Sequence, residues 1–111
     1  MSLIRSAYWL GKPKPGEYDR FCLAMDSDLI ACLRSLPGVR SARVLWPQRL
    51  EDNPPDIFCQ VLVEFDDRAG MERMLASPER SAMRERVLEL AGRFEGRLAH
   101  IDFQVGNGKG E

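Results

Sequence analysis

Histidine and cysteine, the side chains on which many catalytic and metal sites depend, are scarce in this chain. Its 111 residues include one histidine, His100, and three cysteines, Cys22, Cys32 and Cys59. An odd number of cysteines without a CxxC spacing argues against both a disulfide framework and a zinc site. A single histidine without an HxH or HxxxH partner argues against a dedicated transition-metal site as well. We therefore expect no bound metal, and we interpret the cysteines as small apolar residues of the interior.

An excess of charge of either sign is also lacking, and so are long apolar runs. The chain has 16 Lys and Arg residues against 17 Asp and Glu residues, so its formal net charge is -1. This balance gives no electrostatic reason to expect DNA, RNA or an anionic membrane as a partner. No segment approaches the roughly 18 apolar residues of a membrane span, and the N-terminus has no apolar stretch like that of a signal peptide. We therefore expect a cytoplasmic protein with neither a membrane nor a nucleic acid as its partner.

The predicted elements follow the order β-α-β-β-α-β. Apolar residues recur at steps of three and four from about residue 17 to residue 36, which is typical of an amphipathic helix, and Pro37-Gly38 ends it. A second helical region starts after Asp66-Asp67 and restarts at Ser77-Pro78-Glu79, where serine and proline favour a helix N-terminus. Strands are predicted at residues 3–10, 39–46, 57–65 and 97–105.

This order is typical of the ferredoxin-like α+β fold, a four-stranded antiparallel sheet with both helices on one face. A chain of 111 residues has room for one domain, which we place at residues 1–105. Residues 106–111 contain three glycines and no apolar residue, and they are predicted to form a flexible C-terminal tail.

The last predicted strand separates two sets of side chains, because successive residues of a strand point to opposite faces. One set is apolar, and we predict that it faces the helices: Ala99, Ile101, Phe103 and Val105. The other set is mixed, and we predict that it lies on the open face of the sheet with Phe58, Gln60 and Leu62 of the third strand: Leu98, His100, Asp102 and Gln104.

Such a mixed open face needs a cover. A solvated face would hold Lys, Glu and Thr, and exposed apolar residues grouped together usually signal an interaction. An RNA-binding face of the RNA-recognition type needs a basic residue followed by glycine and spaced aromatics, and the basic-Gly pair is missing here. A second copy of the same sheet accounts for the mixture. Two domains packed open face to open face would form a homodimer with a cavity, a dimeric α+β barrel.

Four short strings, in this order along the chain, carry a family resemblance. They are Lys12-Pro13-Lys14-Pro15-Gly16-Glu17-Tyr18, Leu36-Pro37-Gly38-Val39, Phe65-Asp66-Asp67 and Ala76-Ser77-Pro78-Glu79. Over nearly its whole length the chain resembles the EthD-like group of the dimeric α+β barrel superfamily. One departure is that Asp26 and Asp28 stand where that group often has a His and, two residues on, a Pro, so a mechanism that depends on this His does not transfer unchanged.

The resemblance implies a small-molecule pocket protein of bacterial aromatic or ether catabolism, or of secondary metabolism. Its ligand would be a hydrophobic, oxygen-bearing compound, bound without a metal or cofactor. A catalytic version would be a cofactor-free isomerase or cyclase, or a monooxygenase-like enzyme that oxidises an activated substrate with oxygen. The alternative is a non-catalytic accessory or interaction protein that dimerises through its sheet and leaves no room for a ligand.

The candidate catalytic residues are His100 as acid or base and Asp102, which would orient it from two residues along the same face. The plainer alternatives are a half-exposed strand histidine or one packed at the dimer seam for His100, and a solvated aspartate for Asp102. The candidate ligand-binding residues are Tyr8, Trp9, Trp46, Gln60 and Asp26.

Two further interpretations concern the surroundings of these candidates. Tyr8 and Trp9 are adjacent, so only one of them can face the cavity, and the sequence leaves open which one does. The arginines of the last helical region alternate with glutamates at helical spacings, and we interpret them as a solvated, salt-bridged face: Arg80, Arg84, Arg86 and Arg93.

Overall fold

A computed structural model describes residues 1–108 of the chain. Its strands are β1 (Leu3–Pro13), β2 (Ser41–Leu45), β3 (Ile57–Phe65) and β4 (Phe94–Gln104). The first helix, α1, runs through three consecutive segments: α-helical Tyr18–Leu23, π-helical Ala24–Leu29 and α-helical Ile30–Arg34. The other helices are α2 (Arg68–Ala76) and α3 (Pro78–Gly92). The strands form one antiparallel sheet in the order β2-β3-β1-β4, which confirms the predicted ferredoxin-like fold.

The ends of the chain's regular structure lie close to their predicted positions. Of the predicted tail, residues 106–108 have no regular secondary structure, and residues 109–111 lie outside the described residues. No helix within residues 1–108 is long and apolar enough to cross a membrane.

The helix boundaries follow from capping and from glycine. The Asp67 Oδ1 atom accepts a 2.8 Å hydrogen bond from the Gly70 amide at the start of α2, and the Ser77 Oγ atom accepts one of 3.1 Å from the Arg80 amide at the start of α3. Both caps satisfy N–H groups that a helix N-terminus leaves unpaired. After α1, Gly38 has a positive φ of 83°, and an added Cβ there would overlap the carbonyl oxygen of Gly70. Glycine therefore allows the turn after α1 to pack against α2.

The core lies between the sheet and the helices. Its largest fully buried side chains include Trp9 of β1, Phe21 and Met25 of α1, and Phe65 of β3. Of the cysteines, Cys59 is buried and Cys22 and Cys32 are half-buried, all three as free thiols. Burial raises the pKa of the Cys59 thiol to about 12, so this side chain behaves as the predicted small apolar residue.

The two faces of β4 are the reverse of the sequence prediction. In the antiparallel ladder Trp9 is paired with Leu98 and Ala7 with His100, and paired residues share a face. Trp9 is 1% exposed beneath the helices, so Leu98, His100 and Asp102 lie on the helix side. Three residues of the apolar set lie exposed outside the helix-covered face: Ile101, Phe103 and Val105. β4 is an edge strand, and the helices of this chain cover only the side of it that carries Leu98, His100 and Asp102. The apolar set therefore lies on the side that the helices leave uncovered.

Phe58 also departs from its predicted place on the open face. Cys59 is paired with Trp9 and Ile57 with Leu10, so Phe58 is an extra residue in a bulge of β3. Its ring packs at 5.6 Å from that of Phe21 in α1. Gln60 and Leu62, in contrast, do lie on the open face, where they are paired with Tyr8 and Ser6 of β1.

Candidate functional site

A cavity of about 460 Å³ separates the centre of the sheet from α3. This volume is within the range of small-molecule sites, about 300–1,000 Å³. Small side chains leave the space open, since Ala7 is at the centre of the floor and Ala91 is in the wall formed by α3. The remaining apolar lining is formed by Trp9, Leu29, Leu33, Val61, Val63, Met74, Met83, Val87, Leu88 and Leu98.

The polar lining of this cavity consists of Arg5, His100, Arg80 and Arg84. Arg5 and His100 come from the neighbouring strands β1 and β4, while Arg80 and Arg84 are one helical turn apart on α3. The Arg5 Nη1 atom forms a 2.9 Å ion pair with the Asp102 Oδ1 atom. Across residues 1–108, neither Arg80 nor Arg84 forms an ion pair with a carboxylate. The polar part of the cavity is therefore positively charged.

The electrostatics of His100 follow from this arrangement. Its imidazole keeps contact with solvent, yet the cavity wall removes part of its hydration, and this burial lowers its pKa. The charges of Arg5 and Arg80 lower the pKa further, while Asp102 opposes them. Burial together with Arg84 and Arg5 likewise lowers the pKa of Arg80, which stays charged because a guanidinium does not lose its proton in proteins. The lowered pKa therefore favours the neutral imidazole of His100, the form that can accept a proton.

We expect the NMR titration of His100 to have its midpoint below the usual histidine value of about 6.5. Because His100 is the only histidine, one imidazole signal reports it directly. Arg80→Gln should raise the pKa of His100 and Asp102→Asn should lower it, while Arg86→Gln, on the same helix but outside the cavity lining, should leave it unchanged. Folding lowers this pKa, so the free energy of unfolding should fall as the pH drops below about 6.5. A midpoint at or above the usual value would contradict the proximity of the arginines.

The structure distributes the sequence-predicted site residues over three places. His100 and Trp9 line the cavity, and Asp102 holds Arg5 beside them. Tyr8 and Gln60 are paired with each other on the open face, so the structure assigns Trp9 to the helix side and Tyr8 to the opposite side.

The third place is a second, more open groove. Trp46 and Asp26 line it together with Tyr18 and Phe58, and its volume is about 840 Å³. Asp26 belongs to the π-helical segment of α1. These two predicted ligand-binding residues therefore lie in a different depression from His100.

The sequence interpretation missed the three arginines of the cavity. The prediction of a salt-bridged helix face is correct for Arg93, whose guanidinium pairs with Glu17 at 3.0 Å and Glu89 at 3.1 Å. For Arg80 and Arg84 no salt bridge forms within residues 1–108, and both side chains line the cavity, Arg80 half-buried and Arg84 exposed to solvent. A signal was available: positions 80, 84, 87 and 91 have the spacing of one helical stripe, so two arginines continue the apolar stripe of Val87 and Ala91.

Within the described part of the chain, no group of three or more His, Cys, Asp or Glu side chains is placed to hold a metal ion. No protein-family model matches the chain, and no curated protein matches it either.

Several solved structures are similar to the chain. An ethyl tert-butyl ether D (EthD) family protein from Bacillus halodurans C-125 matches with a TM-score of 0.75 and 15% identity, over 96% of this chain and 100% of that one. A dimeric ferredoxin-like protein of unknown function from Jannaschia sp. CCS1 matches with a TM-score of 0.68 and 20% identity, over 95% of this chain and 100% of that one. This chain has their ferredoxin-like fold.

A third similar structure is a mutant of SnoaB, a cofactor-independent oxygenase from Streptomyces nogalater. It matches with a TM-score of 0.59 and 17% identity, over 99% of this chain and 96% of that one. The resemblance to the EthD-like group of dimeric α+β barrels is confirmed at the level of the fold. At identities this low, the similarity shows the fold alone.

Proposed function

We propose that this chain, with residues 1–105 as its one domain, is a small-molecule-binding protein whose site is the cavity between the sheet and α3. The observation that carries the proposal is an apolar cavity of about 460 Å³ with four basic side chains in its lining. An apolar pocket with a few convergent polar groups is the usual form of a small-molecule site. Its ligand would be a hydrophobic, oxygen-bearing compound, bound without a cofactor. The cofactor-independent oxygenase among the similar structures supports this direction.

In a catalytic version of this function, His100 accepts a proton from the bound compound. Its lowered pKa keeps the imidazole neutral at pH 7, which is the form that a general base needs. Asp102 acts differently from its predicted role, because its carboxylate pairs with Arg5 and so positions that guanidinium at the cavity. The chemistry would be cofactor-free proton transfer or isomerisation, or oxidation of an activated substrate by oxygen.

The two tryptophans make the binding site testable by fluorescence. Trp9 lines the cavity and Trp46 lines the second groove, so a Trp46→Phe variant reports the cavity alone. We expect the uncharged fluorophore N-phenylnaphthylamine to quench Trp9 in this variant. Ala91→Phe, which places a ring in the cavity wall, should weaken binding by about tenfold. Ala82→Phe on the same helix, outside the cavity lining, should not weaken it, and equal binding in both variants would contradict the site.

We further propose that the open face of the sheet is the dimer interface. Apolar side chains on this face are exposed, among them Leu45 at 41%, Ile101 at 48% and Phe103 at 42%. At its centre the Gln60 Nε2 atom donates a 3.1 Å hydrogen bond to the Ser6 Oγ atom, which satisfies two polar groups that a partner sheet would cover. Several similar structures are described as dimeric, which supports a second copy as the cover.

The alternative role, a non-catalytic accessory protein, also depends on this apolar face. The open face and the cavity lie on opposite sides of the sheet, so filling one by dimerisation leaves the other unaffected. A dimer that does not bind N-phenylnaphthylamine would favour the accessory role. The cytoplasm is our proposed location for either role, because free thiols such as those of the three cysteines are typical of a reducing compartment.

A further inference from the structure

We propose that the compound bound in this cavity is an organic anion, an apolar body with one carboxylate that binds between Arg80 and Arg84. This inference rests on the proposed function, since it names the chemical class of ligand for the same site. It extends the sequence-based expectation of a hydrophobic, oxygen-bearing compound to a compound of defined charge.

The first argument is the imbalance of charge in the cavity. Three guanidinium groups line it, from Arg5, Arg80 and Arg84, and the ion pair of 2.9 Å from Asp102 neutralises only the first. Glutamates occur on the same helix, yet within residues 1–108 none of them pairs with Arg80 or Arg84. Two like charges one helical turn apart repel each other, so a solvated helix face would gain from an acid at one of these positions. A bound carboxylate supplies the missing negative charge.

The second argument is the position of the two side chains. Arg80 is half-buried, and its backbone is fixed in the first turn of α3 by the 3.1 Å bond from its amide to Ser77 Oγ. Arg84 follows one turn later at the exposed side of the same cavity. Guanidinium groups present forked donors that match the two oxygens of a carboxylate. The pair can therefore hold a carboxylate at the solvent side while the apolar body enters the cavity.

The third argument is the chemistry of the remaining lining. Beyond the arginines, the cavity is formed by aliphatic side chains and the indole of Trp9, which favour an apolar body. The lowered pKa of His100 favours its uncharged form, so the guanidinium groups carry the positive charge of the lining. Recognition then requires both parts of the ligand, so inorganic phosphate, which has charge but no apolar body, should not compete.

A matched pair of fluorophores tests the charge directly. Anilinonaphthalene sulfonate and N-phenylnaphthylamine differ only in the sulfonate, which stands in for the carboxylate. We expect Arg80→Gln/Arg84→Gln to weaken the binding of the sulfonate by about tenfold or more and that of the uncharged probe by less than about twofold. Arg68→Gln/Arg86→Gln removes the same charge outside the cavity lining and should change neither affinity. A competition experiment tests the carboxylate itself. Naphthoate should displace the bound anilinonaphthalene sulfonate, and naphthamide, which is uncharged, should not.

The outcomes separate this inference from the proposed function. If the arginine variant binds both probes as the unaltered protein does, or if naphthamide competes as well as naphthoate, the ligand is not an anion, although the cavity remains a binding site. If Ala91→Phe leaves the binding of both probes unchanged, the cavity is not the site and the proposed function is wrong. If the control variant loses as much affinity for the sulfonate as Arg80→Gln/Arg84→Gln does, the effect is one of net charge and the inference is overturned.

Discussion

Replacing both Ile101 and Phe103 of β4 with lysine is expected to convert the proposed dimer into a monomer. These side chains are 48% and 42% exposed on the open face, and a partner sheet would bury them. In a symmetric dimer each substitution occurs twice, so four ammonium groups would enter an apolar interface. A buried charge without a partner costs several kcal/mol. We expect the dimer dissociation constant to rise by about a hundredfold or more, which corresponds to about 3 kcal/mol.

Light scattering after gel filtration and native mass spectrometry measure this change at the same protomer concentration. The matched control is Leu23→Lys/Leu50→Lys, which adds the same charge at apolar residues that are 68% and 65% exposed outside the sheet. The control should stay a dimer. A lysine double variant of β4 that remains dimeric, or an unaltered protein that is monomeric, would disprove the proposed interface.

Replacing Trp9 with alanine is expected to lower the free energy of unfolding by about 3–5 kcal/mol. Trp9 is 1% exposed, and its ring meets those of Phe21 and Phe94 edge-on at centroid distances of 5.3 Å and 5.4 Å. Removing the indole leaves a cavity that these two rings cannot close. Because a domain is stable by about 5–15 kcal/mol, the loss takes a large share of the total.

Urea denaturation followed by circular dichroism measures this loss, at one fixed protomer concentration because the proposed dimerisation would add to the apparent stability. Trp46→Ala is the control, since Trp46 is half-buried and should cost less than about 2 kcal/mol. Equal losses in the two variants would mean that Trp9 is not the centre of the core. If Trp9→Ala alone is strongly destabilised, the contribution of Trp9 to ligand binding should be measured in Trp9→Phe, which retains an aromatic ring.

The order and type of the elements could be predicted because each has a local cause. Pro37-Gly38 and Ser77-Pro78 set helix boundaries, and the alternation of β3 places strongly apolar residues such as Val61 and Val63 toward the helices. The same alternation failed for β4. A period of two separates the side chains into two sets but does not say which set faces the helices, and an interface outside this chain can bury the more apolar one.

The candidate site was predictable only where a residue type is rare. His100 stands out as the single histidine, and the structure places it at the cavity. Arg80 and Arg84 did not stand out, because arginines at helical spacings among glutamates resemble any solvated helix face. The helical stripe that they share with Val87 and Ala91 was the available signal, but what this stripe faces depends on how α3 packs on the sheet, which the stripe itself does not encode. The bulge that turns Phe58 away from the open face is likewise a property of the strand pairing.

The alternation of β4 has one more consequence, for stoichiometry. His100 lies on the cavity side and Ile101, the next residue, on the open side, so a partner sheet packed on the open face would lie across the sheet from the cavity, which side chains of this chain line. A face-to-face dimer would then direct its two cavities outward, away from each other. Saturation should follow a simple hyperbola with one equivalent of compound per chain, at an affinity that does not change when the assembly is diluted into single chains.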